Sequence, residues 1–264
     1  MGAVYHRRFG TGPKHAIFLH CGLAHSGVWR GVADRLGDLL TVDAFDMPGH
    51  GRSAPPDTAE GIHDVVTAIA RDLLRDSSFL VGHSFGGTVA LRLTQELPAQ
   101  VSGLTLIEPV VMAAAKVSLP DVFDPYHRWA VSIRELVQAG QLHAAAEAFT
   151  KVWGGGMPWG KLPPDQQDSF ARNMPLICET DRLFLDDHLG VLDPGRLEAV
   201  TQDTLLIRGA QSPRLVEGIH QTMVRRMPHA RDVVIAGAGH MVPITHPAEV
   251  ADLIRDQLVA HPVD

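Results

Sequence analysis

The 264-residue chain has little cysteine. It contains only Cys21 and Cys178, which lie far apart and form no C-x-x-C pair. Two isolated cysteines exclude a disulfide framework, and they do not form the spaced sets of cysteine and histidine that bind zinc. The sequence therefore favours a protein of the reducing cytoplasm, with neither metal nor disulfide support.

The sequence also lacks basic clusters and long apolar runs. Its formal net charge is -7, so no positive surface for nucleic acid or anionic lipid is expected. The longest apolar stretches, such as residues 110–115, are much shorter than the ~18 residues that a membrane span needs. No apolar stretch follows the basic residues near the N-terminus, so a secretory signal is not predicted either.

The chain does contain short apolar runs that alternate with segments of helical periodicity. The periodic segments include Ile62 to Leu73, Leu215 to Met227 and Val250 to Leu258. Such alternation predicts an α/β fold with a mostly parallel sheet and helices on both faces. The predicted strands are residues 16–19, 40–45, 79–81, 104–107, 204–207 and 233–235.

One long interval interrupts this alternation. Between Ile107 and Thr204 the sequence has helical segments, separated by glycine and proline clusters, but no strand signal. We therefore predict a core of residues 1–110 and 193–264, with a helical cap of residues 111–192 inserted at the sheet edge where ligands bind. Aromatic residues of this interval could line a pocket or only pack, so none is assigned to binding, and Arg134 and Lys151 are expected to be solvated.

Residues 82–86 read Gly-His-Ser-Phe-Gly, directly after a predicted strand and before a predicted helix. This is the setting in which Gly-x-Ser-x-Gly forms a sharp turn that exposes a serine nucleophile. We predict that Ser84 is that nucleophile. The backbone N–H of Phe85, at the start of the helix, is then placed to stabilise an oxyanion.

A serine nucleophile needs a base, and His240 follows the last predicted strand in a loop of small residues. A second oxyanion donor is expected from the turn after the first predicted strand, where we assign the N–H of Gly22. The alternative for Gly22 is a plain connecting loop. His20, two residues earlier, is expected to orient this loop.

Taken together, these motifs resemble the α/β-hydrolase superfamily, specifically its small capped members. The resemblance covers nearly the whole chain and implies a Ser-acid-His triad. It also implies a structural role for residues 46–53, which are similar to a loop of that family. The matching segments are residues 20–22, 46–53, 82–87, 239–243 and 246–247.

The chain departs from this family at two positions. Cys21 stands where many relatives have glycine, and Ser212 ends the turn in which the family usually carries its acidic residue. We therefore assign the acid to Glu108, which follows the strand ending at Ile107, as in certain haloalkane dehalogenases of the superfamily. The alternative is that Glu108 tethers a loop or lines the pocket; Glu217 is predicted to lie within a helix.

The predicted reaction is hydrolysis of a carboxylic ester or lactone of a small to medium, partly apolar molecule, without cofactor or metal. Two alternatives stay open. The same residues could cleave carbon–carbon bonds of diketone-like ring-fission products, or the fold could serve as a non-catalytic ligand receptor or scaffold. Oligomeric state cannot be predicted from the sequence.

Overall fold

A computed structural model describes residues 2–56 and 60–260, and its centre is a seven-stranded sheet. The order along the sheet is β1-β3-β2-β4-β5-β6-β7, and all pairs are parallel except that of β1 with β3. The predicted fold class is confirmed. The strands are β1 (His6–Phe9), β2 (Lys14–Leu19), β3 (Leu40–Phe45), β4 (Ser78–His83), β5 (Val101–Ile107), β6 (Thr204–Gly209) and β7 (Ala230–Ile235).

Strand β2 shows why the apolar runs form central strands. Ile17 and Leu19 belong to the hydrophobic cluster on one face of the sheet, while Ala16 and Phe18 belong to the cluster on the other. Alternate side chains of a strand point to opposite faces, so a strand buried on both faces must be apolar throughout. Strand β1 lacks such a run because it is a short antiparallel strand at the sheet edge, which explains why sequence periodicity missed it.

Helices cover both faces of the sheet. One face is covered by α1 (Arg30–Leu36) and α10 (Pro247–Ala260), and the other by α2 (Ile62–Asp72), α3 (Phe85–Glu96) and α8 (Arg214–Arg226). Glu217 lies in α8, as predicted. Within residues 2–56 and 60–260, no helix is long and apolar enough to cross a membrane.

The interval between β5 and β6 is helical. Helices α5, α6 and α7 share a small hydrophobic cluster of their own, which includes Ile133, Ala145 and Met174. Helix α4 instead packs on the core, where Thr222 Oγ1 donates to Ala114 O at 2.8 Å. The elements are α4 (Ala113–Ser118), α5 (Pro120–Gln138), α6 (Leu142–Trp153) and α7 (Pro164–Leu185), and the short helix α9 (Val242–Thr245) follows β7.

Four consecutive parallel strands end at one edge of the sheet, and polar residues follow their ends. Ser84 follows β4 and Glu108 follows β5, while Ser212 comes after β6 and His240 after β7. Because parallel strands share one carboxyl-terminal edge, residues distant in sequence are brought together there.

The start of α3 is tightly packed against β2. A Cβ added to Gly86 would lie 2.2 Å from the carbonyl oxygen of Leu19, whereas one added to Gly160 would meet nothing within 4 Å. We expect Gly86→Ala to lower the free energy of unfolding by at least about 2 kcal/mol, since backbone must shift. The free energy of unfolding of Gly160→Ala should stay within about 0.5 kcal/mol of the wild-type value. Urea titration of both variants measures the two values. Equal stability of the two variants would contradict this close packing.

Candidate active site

Ser84 occupies a strained turn between β4 and α3. Its backbone has φ +56° and ψ -117°, a conformation that residues with a Cβ rarely adopt. The turn is held from both sides, because Ser84 N donates to Ile107 O at 2.9 Å and a Cβ at Gly82 would lie 2.3 Å from Gly86 O. Strain of this kind persists where surrounding contacts enforce it, and here it directs Ser84 to the wall of a cavity.

His240 and Glu108 form a buried pair beside this turn. The distance from His240 Nδ1 to Glu108 Oε2 is 2.7 Å, and the Glu108 side chain is fully buried. Glu108, like Ser84, has a positive φ, of +47°. Residues 84, 108 and 240, predicted separately from the sequence, are thus brought to one place, with Ser84 and His240 lining the same cavity.

The second carboxylate oxygen of Glu108 is held by the end of β6. Glu108 Oε1 accepts a hydrogen bond from Gly209 N at 2.7 Å and another from the hydroxyl of Ser212. Burial alone would raise the pKa of Glu108, but the hydrogen bonds from His240, Gly209 and Ser212 and the charge of His240 bring it below its usual value. Ser212, which ends the turn where the resemblance implies an acidic residue, therefore donates to the carboxylate of Glu108.

The ionised state of Glu108 determines the tautomer of His240. A carboxylate only accepts hydrogen bonds, so Nδ1 carries the proton and Nε2 keeps a free lone pair. The backbone carbonyl of His240 accepts a hydrogen bond from His83 Nε2 at 2.9 Å, and burial lowers the pKa of His83 to about 3. The ring of Trp153, from α6, meets the His240 ring edge-on at 4.6 Å.

Gly22 and Phe85 line the same cavity as Ser84. Phe85 is the first residue of α3, where backbone N–H groups have no acceptor within the helix. The loop that carries Gly22 is held by His20, whose Nδ1 donates to Cys21 O at 2.7 Å and whose Nε2 accepts from Met47 N at 2.9 Å. Burial lowers the pKa of His20 to about 3, so the ring is neutral and can make both bonds.

Residues 46–53 reinforce this region. Asp46 accepts hydrogen bonds from Ser26 N at 2.7 Å and from Arg52 N at 2.9 Å, which ties the loop after β3 to the loop after β2. The carboxyl of Asp46 is thus engaged by backbone groups.

Asp203 lies directly before β6, at the opposite end of that strand from Ser212.

The cavity above Ser84 has a volume of about 630 Å³ and is lined mainly by apolar side chains. Seven aromatic and methionine residues from the interval between β5 and β6 line it, namely Met112, Tyr126, Phe149, Trp153, Met157, Phe170 and Phe184. Phe123, Trp129 and Trp159 are not among the lining residues; Phe123 and Trp129 pack in hydrophobic clusters. The sequence assigned none of these side chains to a pocket or to packing, and the structure divides them between the two.

Sequence reasoning missed two charged residues of the cavity wall, Asp181 of α7 and Lys161. Arg134 and Lys151, considered from the sequence, do not line the cavity. The position of Asp181 carried a signal, because Ile177, Asp181 and Phe184 fall at helical spacing on one face and all three line the cavity. A carboxylate on an otherwise apolar helix face is unusual.

Among the described residues, no group of three or more histidine, cysteine or acidic side chains could hold a metal ion. Both cysteines are free and buried, and burial raises the pKa of Cys21 to about 12.

Residues 16–253 match the model of the Alpha/beta hydrolase family. The chain belongs to that family. Among curated proteins it is similar to Lipase LipV of Mycobacterium tuberculosis, with 28% identity over 96% of both chains. It is 26% identical to the Pimeloyl-[acyl-carrier protein] methyl ester esterase of Nitrosomonas europaea, over 94% of this chain and 97% of that protein. Among solved structures, carboxylesterase CesB of Bacillus subtilis superposes with a TM-score of 0.69 at 19% identity, covering 98% of this chain and 89% of that one.

The environment of Asp181 predicts a pH-dependent stability. Burial raises the pKa of Asp181 from 3.8 to about 7, although the charge of Arg134 opposes the shift. The folded state thus holds this proton more tightly than the unfolded state, so the wild-type protein loses stability as the pH rises from about 4 to about 7.

We expect Asp181→Asn to remove this loss. The variant should gain free energy of unfolding relative to wild type, on the order of 1–4 kcal/mol above about pH 7 and much less near pH 4. Urea unfolding of both proteins at about pH 4 and above about pH 7 measures this difference in free energy of unfolding. A gain that is equal at the two pH values would contradict the raised pKa.

Proposed function

We propose that this chain is a cofactor-free serine hydrolase that cleaves a carboxylic ester or lactone of a small to medium, partly apolar molecule. The observation that carries the proposal is the 2.7 Å contact of His240 Nδ1 with the buried Glu108, next to a serine held on a strained turn. Serine, histidine and carboxylate at the ends of different strands are the parts that nucleophilic acyl transfer requires.

In the first half of the proposed reaction, Ser84 Oγ attacks the carbonyl carbon of the ester. His240 Nε2 takes the hydroxyl proton, because Nδ1 is already protonated and bonded to Glu108. The resulting imidazolium is stabilised by the Glu108 carboxylate. His240 then gives the proton to the departing alcohol oxygen, which leaves an acyl group on Ser84.

The negative charge on the carbonyl oxygen needs donors that are already in place. We assign these to the N–H groups of Gly22 and Phe85, residues that line the cavity together with Ser84. The positive end of the α3 dipole acts in the same direction. Loss of one such donor typically costs about 10²- to 10³-fold in rate.

In the second half of the proposed reaction, water attacks the acyl carbon while His240 Nε2 takes a proton from that water. The tetrahedral intermediate collapses, the carboxylic acid is released and Ser84 regains its proton from His240. The proposed scheme uses no metal or organic cofactor.

We further propose that residues 111–192 form a cap that supplies most of the specificity. The cavity volume of about 630 Å³ suits a small-molecule substrate, and its lining favours an apolar acyl or alcohol part. The names of the relatives, a lipase and a methyl ester esterase, support ester chemistry. Residence in the cytoplasm stays a prediction, with which the two free, buried cysteines are compatible.

Labelling with a fluorophosphonate tests the nucleophile directly. Ser84 Oγ should attack phosphorus and expel fluoride, so mass spectrometry should find one adduct on the peptide that contains Ser84. The variant Ser84→Ala should lose both labelling and ester hydrolysis. Ser132→Ala, which changes an exposed serine, serves as the matched control and should label as wild type does.

An unlabelled Ser84 in folded protein would contradict the proposal and favour a ligand receptor. Turnover of aryl and alkyl esters, lactones and vinylogous diketones then separates ester from carbon–carbon cleavage. Hydrolysis of the diketones alone would overturn the ester assignment.

The role of Glu108 predicts a specific loss. Glu108→Gln keeps the size of the side chain but offers His240 an amide, which no longer fixes the tautomer by charge. We expect kcat for a good ester substrate to fall by about 10³- to 10⁴-fold with the fold retained. Glu217→Gln, in α8 and bonded to Gln221, should keep kcat within about twofold of wild type. Near wild-type turnover of Glu108→Gln would show that another group orients His240.

A further inference from the structure

The cavity contains a carboxyl group that the proposed mechanism does not use. Asp181 lines the cavity wall together with Tyr126 and Phe184. Its carboxyl group has no hydrogen bond to any of the residues 2–56 and 60–260. The side chain is half-buried and lines the cavity, so a ligand in the cavity can supply the hydrogen-bond donor that the protein does not.

The neighbours of Asp181 do not satisfy it. Arg134, on α5, is close enough to lower the pKa of Asp181 by its charge, but it forms no ion pair with Asp181 within 4 Å, and Arg134 Nε is itself buried without a partner. Burial and the charge of Asp181 both raise the pKa of the Tyr126 hydroxyl. They also raise the pKa of the Cys178 thiol. Of these titratable neighbours, none hydrogen-bonds to the carboxyl.

Asp181 is also connected to the reacting groups by a row of aromatic rings. Phe184, one turn further along α7, lies 6.0 Å from Phe85, which follows Ser84. On the other side, Tyr126 lies 5.9 Å from Trp153, and Trp153 contacts His240. Asp181 thus lines the same cavity as Ser84, together with these aromatic side chains.

We propose that Asp181 binds a hydroxyl group on the substrate, at a distance from the ester carbonyl set by these aromatic rings. This inference rests on the proposed ester hydrolysis and specifies its substrate class: esters or lactones whose apolar part ends in, or carries, a hydroxyl group. The hydroxyl donates a hydrogen bond to a carboxylate oxygen of Asp181, and the apolar chain contacts the rings.

A hydroxyl fits this position better than a charged group does. A second carboxylate would be repelled by Asp181, and an ammonium would have to lose its hydration in an apolar cavity. A hydroxyl both donates and accepts, so it can bond to the carboxylate and to the neutral carboxylic acid. Since the pKa of Asp181 is about 7, both forms are present near neutral pH, and a hydroxyl is matched to each.

Paired substrates test the proposal. Methyl esters of ω-hydroxy acids of increasing chain length are compared with esters in which a methyl group replaces the terminal hydroxyl, so that size is constant. For wild type, the ratio of kcat/KM for the hydroxy ester to that for its methyl partner should exceed one at a particular chain length. Asp181→Leu should lower that ratio by about 10- to 100-fold, the loss expected for a hydrogen bond to a charged group.

Two further variants make the result interpretable. Asp181→Asn keeps a group that can donate and accept, so it should retain part of the preference, and it covers the case in which the leucine variant fails to fold. Asp186→Leu removes an exposed carboxylate at the end of the same helix and should leave the ratio unchanged.

The outcomes separate this inference from the proposed function. Hydrolysis of all esters with a ratio that Asp181→Leu does not change would overturn the hydroxyl site and leave the esterase intact. A preference for ω-amino esters would overturn the choice of a hydroxyl. Failure to hydrolyse any ester would overturn the proposed function itself.

Discussion

The buried hydrogen bond between His240 Nδ1 and Glu108 Oε2 joins parts of the chain that are 132 positions apart. It exists because β5 and β7 are parallel strands of one sheet whose ends meet at the same edge. Between them, β6 supplies Gly209 N and Ser212 Oγ to the other oxygen of Glu108. A buried carboxylate stays ionised only when donors surround it, and three donors from two strand ends do so here.

The same arrangement accommodates the proposed acid after β5 instead of after β6. At the end of β6 the chain carries Ser212, a donor, and at the end of β5 it carries Glu108, an acceptor. The two positions are adjacent across the sheet, so either could bring a carboxylate close to a histidine after β7. Backbone strain at Glu108, whose φ is +47°, is consistent with a side chain held in place by contacts on both oxygens.

The helices between β5 and β6 complete the site from above. Trp153 packs on His240, and Phe184 packs on Phe85, so the cavity is apolar next to the reacting groups. Low polarity strengthens the hydrogen bonds and charge interactions that the proposed mechanism uses. Asp181 stands out against this lining because it is the acidic side chain on the wall and has no hydrogen-bonding partner in the described part of the chain.

The sequence predicted those parts of the molecule that depend on local patterns. Central strands such as β2 are apolar on both faces, and the turn around Ser84 needs glycine, so both leave clear signals. The choice of Glu108 followed from its place after a strand and from serine at position 212. Strand β1 left no signal because an exposed edge strand need not be apolar.

Contacts between distant segments could not be predicted in this way. Nothing local indicates that Trp153 packs on His240, or which aromatic residues of α5 to α7 face the cavity. These depend on how the helices pack over the sheet. Asp181 was detectable only as an acidic residue on an apolar helix face, a pattern that acquires meaning once the cavity is known.

In the proposed mechanism Glu108 holds a proton on Nδ1 of His240. Proton NMR of the folded protein in water detects that proton, because a hydrogen bond from a buried imidazole N–H to a carboxylate shifts it far downfield of the amide region. We expect such a resonance in wild type, and we expect it to vanish in Glu108→Gln and to persist in Glu217→Gln. Its absence from wild type, or its survival in Glu108→Gln, would contradict the account.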